Sequence, residues 1–389
     1  MLKEVEEGFR RAIEMDPTDG RAYVSLGGHY LKQRRYDQAA RVYEDGCTAT
    51  QGQNAHIWQA WATLEAKRGN INQARKYYDA ATVASQSHVT AWHGWGLMEE
   101  RQGNLIRARE LWTKGLQKAT TPSPYIYQSL GLLCQRTGLI EEARGWFRKG
   151  TQEVKGISAH AIWQAWALME QEYGSVQEAR SLFRKGLLAN PRSRFTFLAW
   201  GSMEQELGNL ERARAILVKG LSANPVDPAL YQALGVLEEK AGNFADARQY
   251  FKDGLEVDDK HIHLWQAYGV MEWRLGHFEE ARELFQRGIW SQPTSRSVCR
   301  VFQAWGCLEQ DDGNVALARN LLKCAVKADP TSNVSWSTWV CLEESIGAYT
   351  RADDIRNFSM QERVEVVTPQ LTSADLKLGQ GGGAGVAGA

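Results

Sequence analysis

AWHGWGLMEERQGNLIRAR, residues 91–109, holds one helical pattern, a break and the start of another. Trp92, Trp95, Gly96 and Glu99 stand at i, i+3, i+4 and i+7, which puts them on one face of a helix. Gly103-Asn104 ends that helix, because both residues tolerate positive φ. A second amphipathic stretch, IRARELWTKGLQKA, follows at residues 106–119. Two helices and a tight turn make one hairpin, and no strand-like alternation interrupts them.

The hairpin recurs. IWQAWATLE (57–65), IWQAWALME (162–170), LWQAYGVME (264–272) and VFQAWGCLE (301–309) repeat its first half. Taking the second aromatic position as marker gives Leu26, Trp61, Trp95, Leu130, Trp166, Trp200, Leu234, Tyr268, Trp305 and Trp339, spaced 34 to 37 residues apart. These markers number ten repeats, one to ten. A small residue follows the marker in nine of them, from Gly27 and Ala62 through Gly306, and lets paired helices approach closely. Prolines such as Pro191, Pro225 and Pro330 close several repeats. GFRRAIEMDP (8–17) matches the close of a repeat, as in LFRKGLLANP (182–191), so the array opens on a second helix alone and leaves Phe9 and Ile13 apolar positions to be covered. The expected fold is all-α, a right-handed superhelical solenoid of helix-turn-helix repeats. Its expected parts are a partial repeat over 1–20, ten repeats over 21–360, and a disordered Gly/Ala-rich tail over 361–389 that ends in GQGGGAGVAGA.

Lys plus Arg and Asp plus Glu balance at 46 each, which argues against a charge-driven nucleic-acid coat or a membrane-surface protein. No apolar run is long enough to span a bilayer. The six cysteines include no CxxC and read as small packing residues; HIH at 261–263 lacks further ligands for a metal pair. There is no phosphate-cradling glycine loop, nucleophile elbow or HExxH helix. The reading is a binding protein with no enzyme activity and no cofactor.

Paired aromatics, a glutamate four residues on, then GN and AR, at this period resemble half-a-tetratricopeptide repeats, relatives of the tetratricopeptide repeat found in RNA-processing proteins. The tryptophan-rich form most resembles the chloroplast proteins that stabilise photosystem II messenger RNAs. The resemblance covers residues 5–360. Repeats one, four and ten depart from it: Tyr30 and Cys134 replace the glutamate, and Asp353 the arginine. What it implies is a chloroplast protein, without a recognisable transit peptide in this chain, acting on a leader in the psbH/psbB region.

Arg75, Arg109, Arg144, Arg180, Arg214, Arg248, Arg282 and Arg319 follow alanine in eight repeats, and a glutamate stands ten residues before seven of them. A buried Glu–Arg pair between helices accounts for both, which makes the arginines framework and not phosphate ligands. The glutamines differ. Gln59 lies about 100° around the helix from Trp58, on a stripe that borders the buried face. Gln59, Gln128, Gln164, Gln232, Gln266 and Gln303 hold this place, and His93 holds it in repeat three. First helices are expected to line the concave wall, so the row faces a groove. Two readings stay open: the amides read base edges, or they stitch neighbouring repeats. Two residues before the first aromatic, His56, Tyr125, Phe195 and His263 offer rings for base stacking. Lys67, Arg101, Arg136, Lys240 and Arg274 stand further along the same wall as candidate phosphate contacts. The second-helix RKG clusters at 148–150 and 184–186 read as a solvated outer face. The leading function is sequence-specific binding of single-stranded RNA, which stabilises a transcript or exposes its translation start by occupying the leader and blocking exonucleases. The alternative is a protein–protein scaffold of a nuclear splicing or polyadenylation type, with self-association through the open half-repeat.

Overall fold

The computed structural model describes residues 2–361; the expected Gly/Ala tail lies outside them. Among the described residues the chain is all-helical, with twenty-one α-helices, one short 3-10 segment at Gly156–Ala159 and no strand. The described residues divide into two compact units, with the boundary between residues 191 and 192. The first unit holds Leu2–Met15 and repeats one to five, from Gly20–Lys32 with Tyr36–Ala49 to His160–Tyr173 with Val176–Ala189. The second holds repeats six to ten, from Arg194–Glu206 with Leu210–Ala223 to Asn333–Ser345 with Tyr349–Gln361. Within each unit every repeat is an antiparallel helix pair. First helices of neighbouring repeats touch one another, whereas a second helix meets the next repeat through that repeat's first helix.

Each signature residue has a distinct mechanical part. The first tryptophan donates its indole N–H to a carbonyl six residues back and so pins the loop between repeats. Trp58 bonds Gly52 O at 2.8 Å, Trp92 bonds Gln86 O at 2.9 Å, and Trp265 bonds Asp259 O at 2.7 Å. The second tryptophan stacks on the first, at 5.8 Å between rings for Trp58–Trp61 and for Trp163–Trp166. Small residues after the marker admit a large side chain from the second helix: a Cβ built on Gly235 would lie 2.5 Å from a ring carbon of the fully buried Phe251. Gly103 and Gly242, at φ +80° and +82°, close the first helices in the left-handed conformation; Arg34 takes that slot in repeat one at φ +60°.

The arginine–glutamate pairs exist, but not within a repeat. Arg75 does not reach Glu65, ten residues earlier. It forks onto Glu99 of the next repeat, at 2.7 and 2.8 Å. The same fork joins Arg144 to Glu170, Arg214 to Glu238, Arg248 to Glu272, Arg282 to Glu309 and Arg319 to Glu343, at 2.5 to 2.9 Å. The reason is the packing order: the second helix lies between two first helices, and its arginine faces the following one. The marker tryptophan and the asparagine of GN complete the carboxylate shell. Trp95 Nε1 and Asn104 Nδ2 donate to Glu99 at 3.2 and 2.8 Å, and Trp305 and Asn314 do the same for Glu309. Glu99 is 2% exposed, and Arg75, against the cost of burial and helped by Asn104 and Trp95, holds its carboxyl at about 2.

Where the glutamate is missing, the shell is rebuilt or removed. In repeat four Cys134, Leu130 and Leu139 replace the glutamate, tryptophan and asparagine together, and Arg109 pairs with Glu142 instead. In repeat one Tyr30 takes the glutamate's place and donates its hydroxyl to Glu6, which stands where the preceding arginine would, at 2.6 Å. Phe9 and Ile13 are half-buried against that repeat. None of the six cysteines stands in a disulfide, four of them are buried, and no group of metal-ligating side chains occurs among the described residues. No described helix is long and apolar enough to cross a membrane.

Candidate nucleic-acid interface

The glutamine row stands on the wall that the first helices build. Gln59, Gln128, Gln164, Gln232, Gln266 and Gln303 are all half-buried, as is His93. Their partners divide the row. Gln303 Nε2 donates to Thr338 Oγ1 of the next repeat at 2.9 Å, and His93 Nε2 meets Ser129 Oγ of the next repeat at 3.0 Å. These two positions stitch repeats. Gln266 stands beside His263 in its own helix and favours the charged form of that imidazole against the effect of burial. The amides of Gln59, Gln128 and Gln232 make no side-chain hydrogen bond among the described residues. The row is thus engaged between repeats at Gln303 and His93 and left unengaged at Gln59, Gln128 and Gln232.

The ring positions are similarly mixed. Tyr125 and Phe195 are 62% and 55% exposed, and His56 is exposed. His93 lies 6.0 Å from Tyr125, ring to ring, while the Arg194 guanidinium covers Phe195 at 4.5 Å. His93 is driven toward its neutral form by burial; so is His263, by burial and then by Arg300. A neutral imidazole offers both a donor and an acceptor. The basic positions separate into two sets. Arg136 pairs with Glu100 of the preceding repeat, and Arg274 with Glu239 at 2.9 Å. Lys67, Arg101 and Lys240 are exposed and have no carboxylate partner among the described residues. In the second helices, the lysines of the RKG clusters lie over tryptophan rings, Lys149 at 5.9 Å from Trp146 and Lys185 at 5.2 Å from Trp163.

Sequence reasoning missed a second stitching row one residue beyond the signature glutamate position. Gln135 Nε2 donates to Glu172 Oε2 at 3.1 Å, and Gln310 Nε2 to Ser345 Oγ at 3.3 Å, both in the following repeat. The signal was available in the polar residue that follows the glutamate position, as in Glu100, Gln135 and Gln310.

A chain of stacked helix hairpins with this signature is a half-a-tetratricopeptide and tetratricopeptide repeat protein. The family described as tetratricopeptide repeat matches residues 6–54, 60–124 and 240–294, and the pre-mRNA-splicing factor Syf1/CRNKL1 C-terminal HAT repeat matches residues 96–234. The chain is similar to the chloroplastic PsbB mRNA maturation factor Mbb1 of Chlamydomonas reinhardtii, at 45% identity over 202 residues, 51% of this chain and 30% of that protein. It is also similar to the protein high chlorophyll fluorescent 107 of Arabidopsis thaliana, at 44% identity over 72 residues, 18% of this chain and 11% of that one. The chain thus spans less than a third of the length of either relative. The resemblance read from the motif holds. Among solved structures, yeast Tom70 shares the fold, with a TM-score of 0.52 at 12% identity over 93% of this chain and 94% of that one.

Proposed function

We propose that the protein binds single-stranded RNA along its first-helix wall and acts in the maturation or stabilisation of a chloroplast messenger RNA. The observation that carries this reading is the 45% identity over 202 residues to a chloroplast mRNA maturation factor. Geometry supports it: Gln59 and Lys67 share one helix, eight residues and hence about 12 Å apart, comparable to the reach from a phosphate to its base edge. Unengaged amides then meet bases while unpaired cations meet phosphates. An RNA held in this way blocks an exonuclease and stays unpaired with itself, with no bond chemistry by the protein. The balanced net charge suits recognition of bases over a charge-driven coat, whose affinity collapses in salt.

In vitro selection from a random RNA pool, followed by binding to the enriched sequence and to a scrambled one, tests the reading. Enrichment of one sequence and protection of RNA behind it from a 5′ exonuclease are expected. A pool that never enriches overturns it. The match to a splicing-factor repeat favours a second reading, a protein scaffold, for which an RNA-processing partner would bind where RNA does not.

A further inference from the structure

At the loop end of the wall in residues 1–191, consecutive inter-repeat loops enclose an open hollow of about 600 Å³. Polar residues such as Thr18, Gln53, Asn54, Ser85, His56 and His88 line it, beside two alanines. No Lys, Arg, Asp or Glu lines it. The two imidazoles meet edge to face, 4.2 Å between centroids at 75°. They come from different repeats: His56 opens the first helix of repeat two, and His88 caps the first helix of repeat three. The His88 ring is fixed by Thr90 Oγ1 at 2.9 Å. Burial, then the neighbouring His56, pushes it down to about 4, so it supplies no positive charge at neutral pH. The equivalent pairs of positions elsewhere carry Thr90 with Ser123, Tyr125 with Ala159, and Ala229 with His261. The facing imidazoles are therefore a local feature and not part of the repeat signature.

The chemistry of the lining selects its ligand. A phosphate needs cations, which the lining lacks, and an apolar side chain needs an apolar wall. A flat, uncharged ligand with donors and acceptors around its rim suits amides and hydroxyls, and its face suits an imidazole. We propose that this hollow takes one unstacked nucleobase. The source of the base, a single-stranded RNA on the adjoining wall, rests on the function proposed above; the chemistry of the hollow does not.

The test uses the full chain with isotope-labelled histidine, the His56 and His88 signals being assigned from His56→Ala and His88→Asn. Asparagine suits the N-cap position, where His88 makes no side-chain cap bond and where Asn54 makes one a repeat earlier. Wild-type protein is titrated with adenosine, with cytidine and with inorganic phosphate at constant ionic strength. At least one nucleoside is expected to shift both imidazole signals saturably, with phosphate leaving them in place. The His56→Ala, His88→Asn protein should bind a selected RNA about ten-fold more weakly, at the lower part of the range for losing one stacked base. Equal shifts with phosphate would make the hollow an anion site and overturn the proposal. Unmoved imidazoles, together with an unchanged RNA affinity in the double variant, overturn it too. Shifts with a nucleoside but no RNA enriched by selection would leave the hollow standing and remove the RNA-binding function.

Discussion

Glu170 is 3% exposed and receives three hydrogen bonds, two from Arg144 and one from Trp166. Removing Arg144 strands that carboxylate. Arg144→Ala should cost about 2 kcal/mol in urea unfolding, below the full penalty for a broken buried pair because the arginine is partly exposed. Unchanged unfolding would mean that water replaces the guanidinium at no cost. Acid sensitivity follows with a definite sign. The native Glu99 carboxyl sits at about 2, below its ordinary 4.5, so protons bind the unfolded chain first. Glu170 and Glu238 are lowered too, chiefly by their arginines, and Glu309 is lowered although burial opposes it. Their stabilisation is complete above pH 4.5 and lost as pH falls toward 2; circular dichroism against pH should place acid unfolding in that window. Arg34 gives an opposite case. Holding φ +60° without being glycine, it strains its turn, and Arg34→Gly should raise stability by about 0.5–1 kcal/mol. A lower melting temperature would show that the side chain contributes more than the backbone loses.

At the scale of the helix pair, close approach governs stability. Gly235→Ala drives a methyl into the Phe251 ring, and the cost should be about 2–3 kcal/mol in the same unfolding measurement. Repeat four shows how the carboxylate shell behaves as a set. It lacks glutamate, indole and amide donor together, so Cys134→Glu alone should destabilise, by about 2 kcal/mol, a site with too few donors. A neutral outcome would mean that Arg109 abandons Glu142 for the new carboxylate. The sequence made these helix pairs legible because periodicity and glycine placement are local. Which glutamate an arginine faces was not legible: spacing within a repeat pointed to Glu65 for Arg75, while packing order points to Glu99. That choice depends on which neighbour a second helix lies against, and no single repeat contains it.

At the scale of the whole molecule, the glutamine row can be split by experiment. Gln59, Gln128 and Gln232 replaced together by alanine should leave melting near that of the parent, since alanine is the better helix former and no side-chain bond is lost. The affinity for selected RNA should fall by about 1 kcal/mol per base contact, and that for scrambled RNA much less. Gln303→Ala should do the reverse and cost about 1 kcal/mol of stability with the Thr338 bond. Early melting of the triple variant with an unchanged specific-to-scrambled ratio would sink base reading. The row itself was legible from the sequence; its division was not, because Thr338 and Ser129 stand in neighbouring repeats and carry no mark of their own.

The forward reach of each arginine also changes what is portable in this chain. A cassette cut at the sequence period, from one first helix to its second, carries a glutamate without its arginine at one end and an arginine without its glutamate at the other. The transplantable piece is offset by half a period: a second helix with the first helix that follows it, such as Ile71–Ala84 with Val89–Arg101, which keeps Arg75 and Glu99 together. Grafts, chimaeras and shortened arrays of this protein should be joined inside the hairpin turn, at Gly-Asn, and not at the loop between repeats.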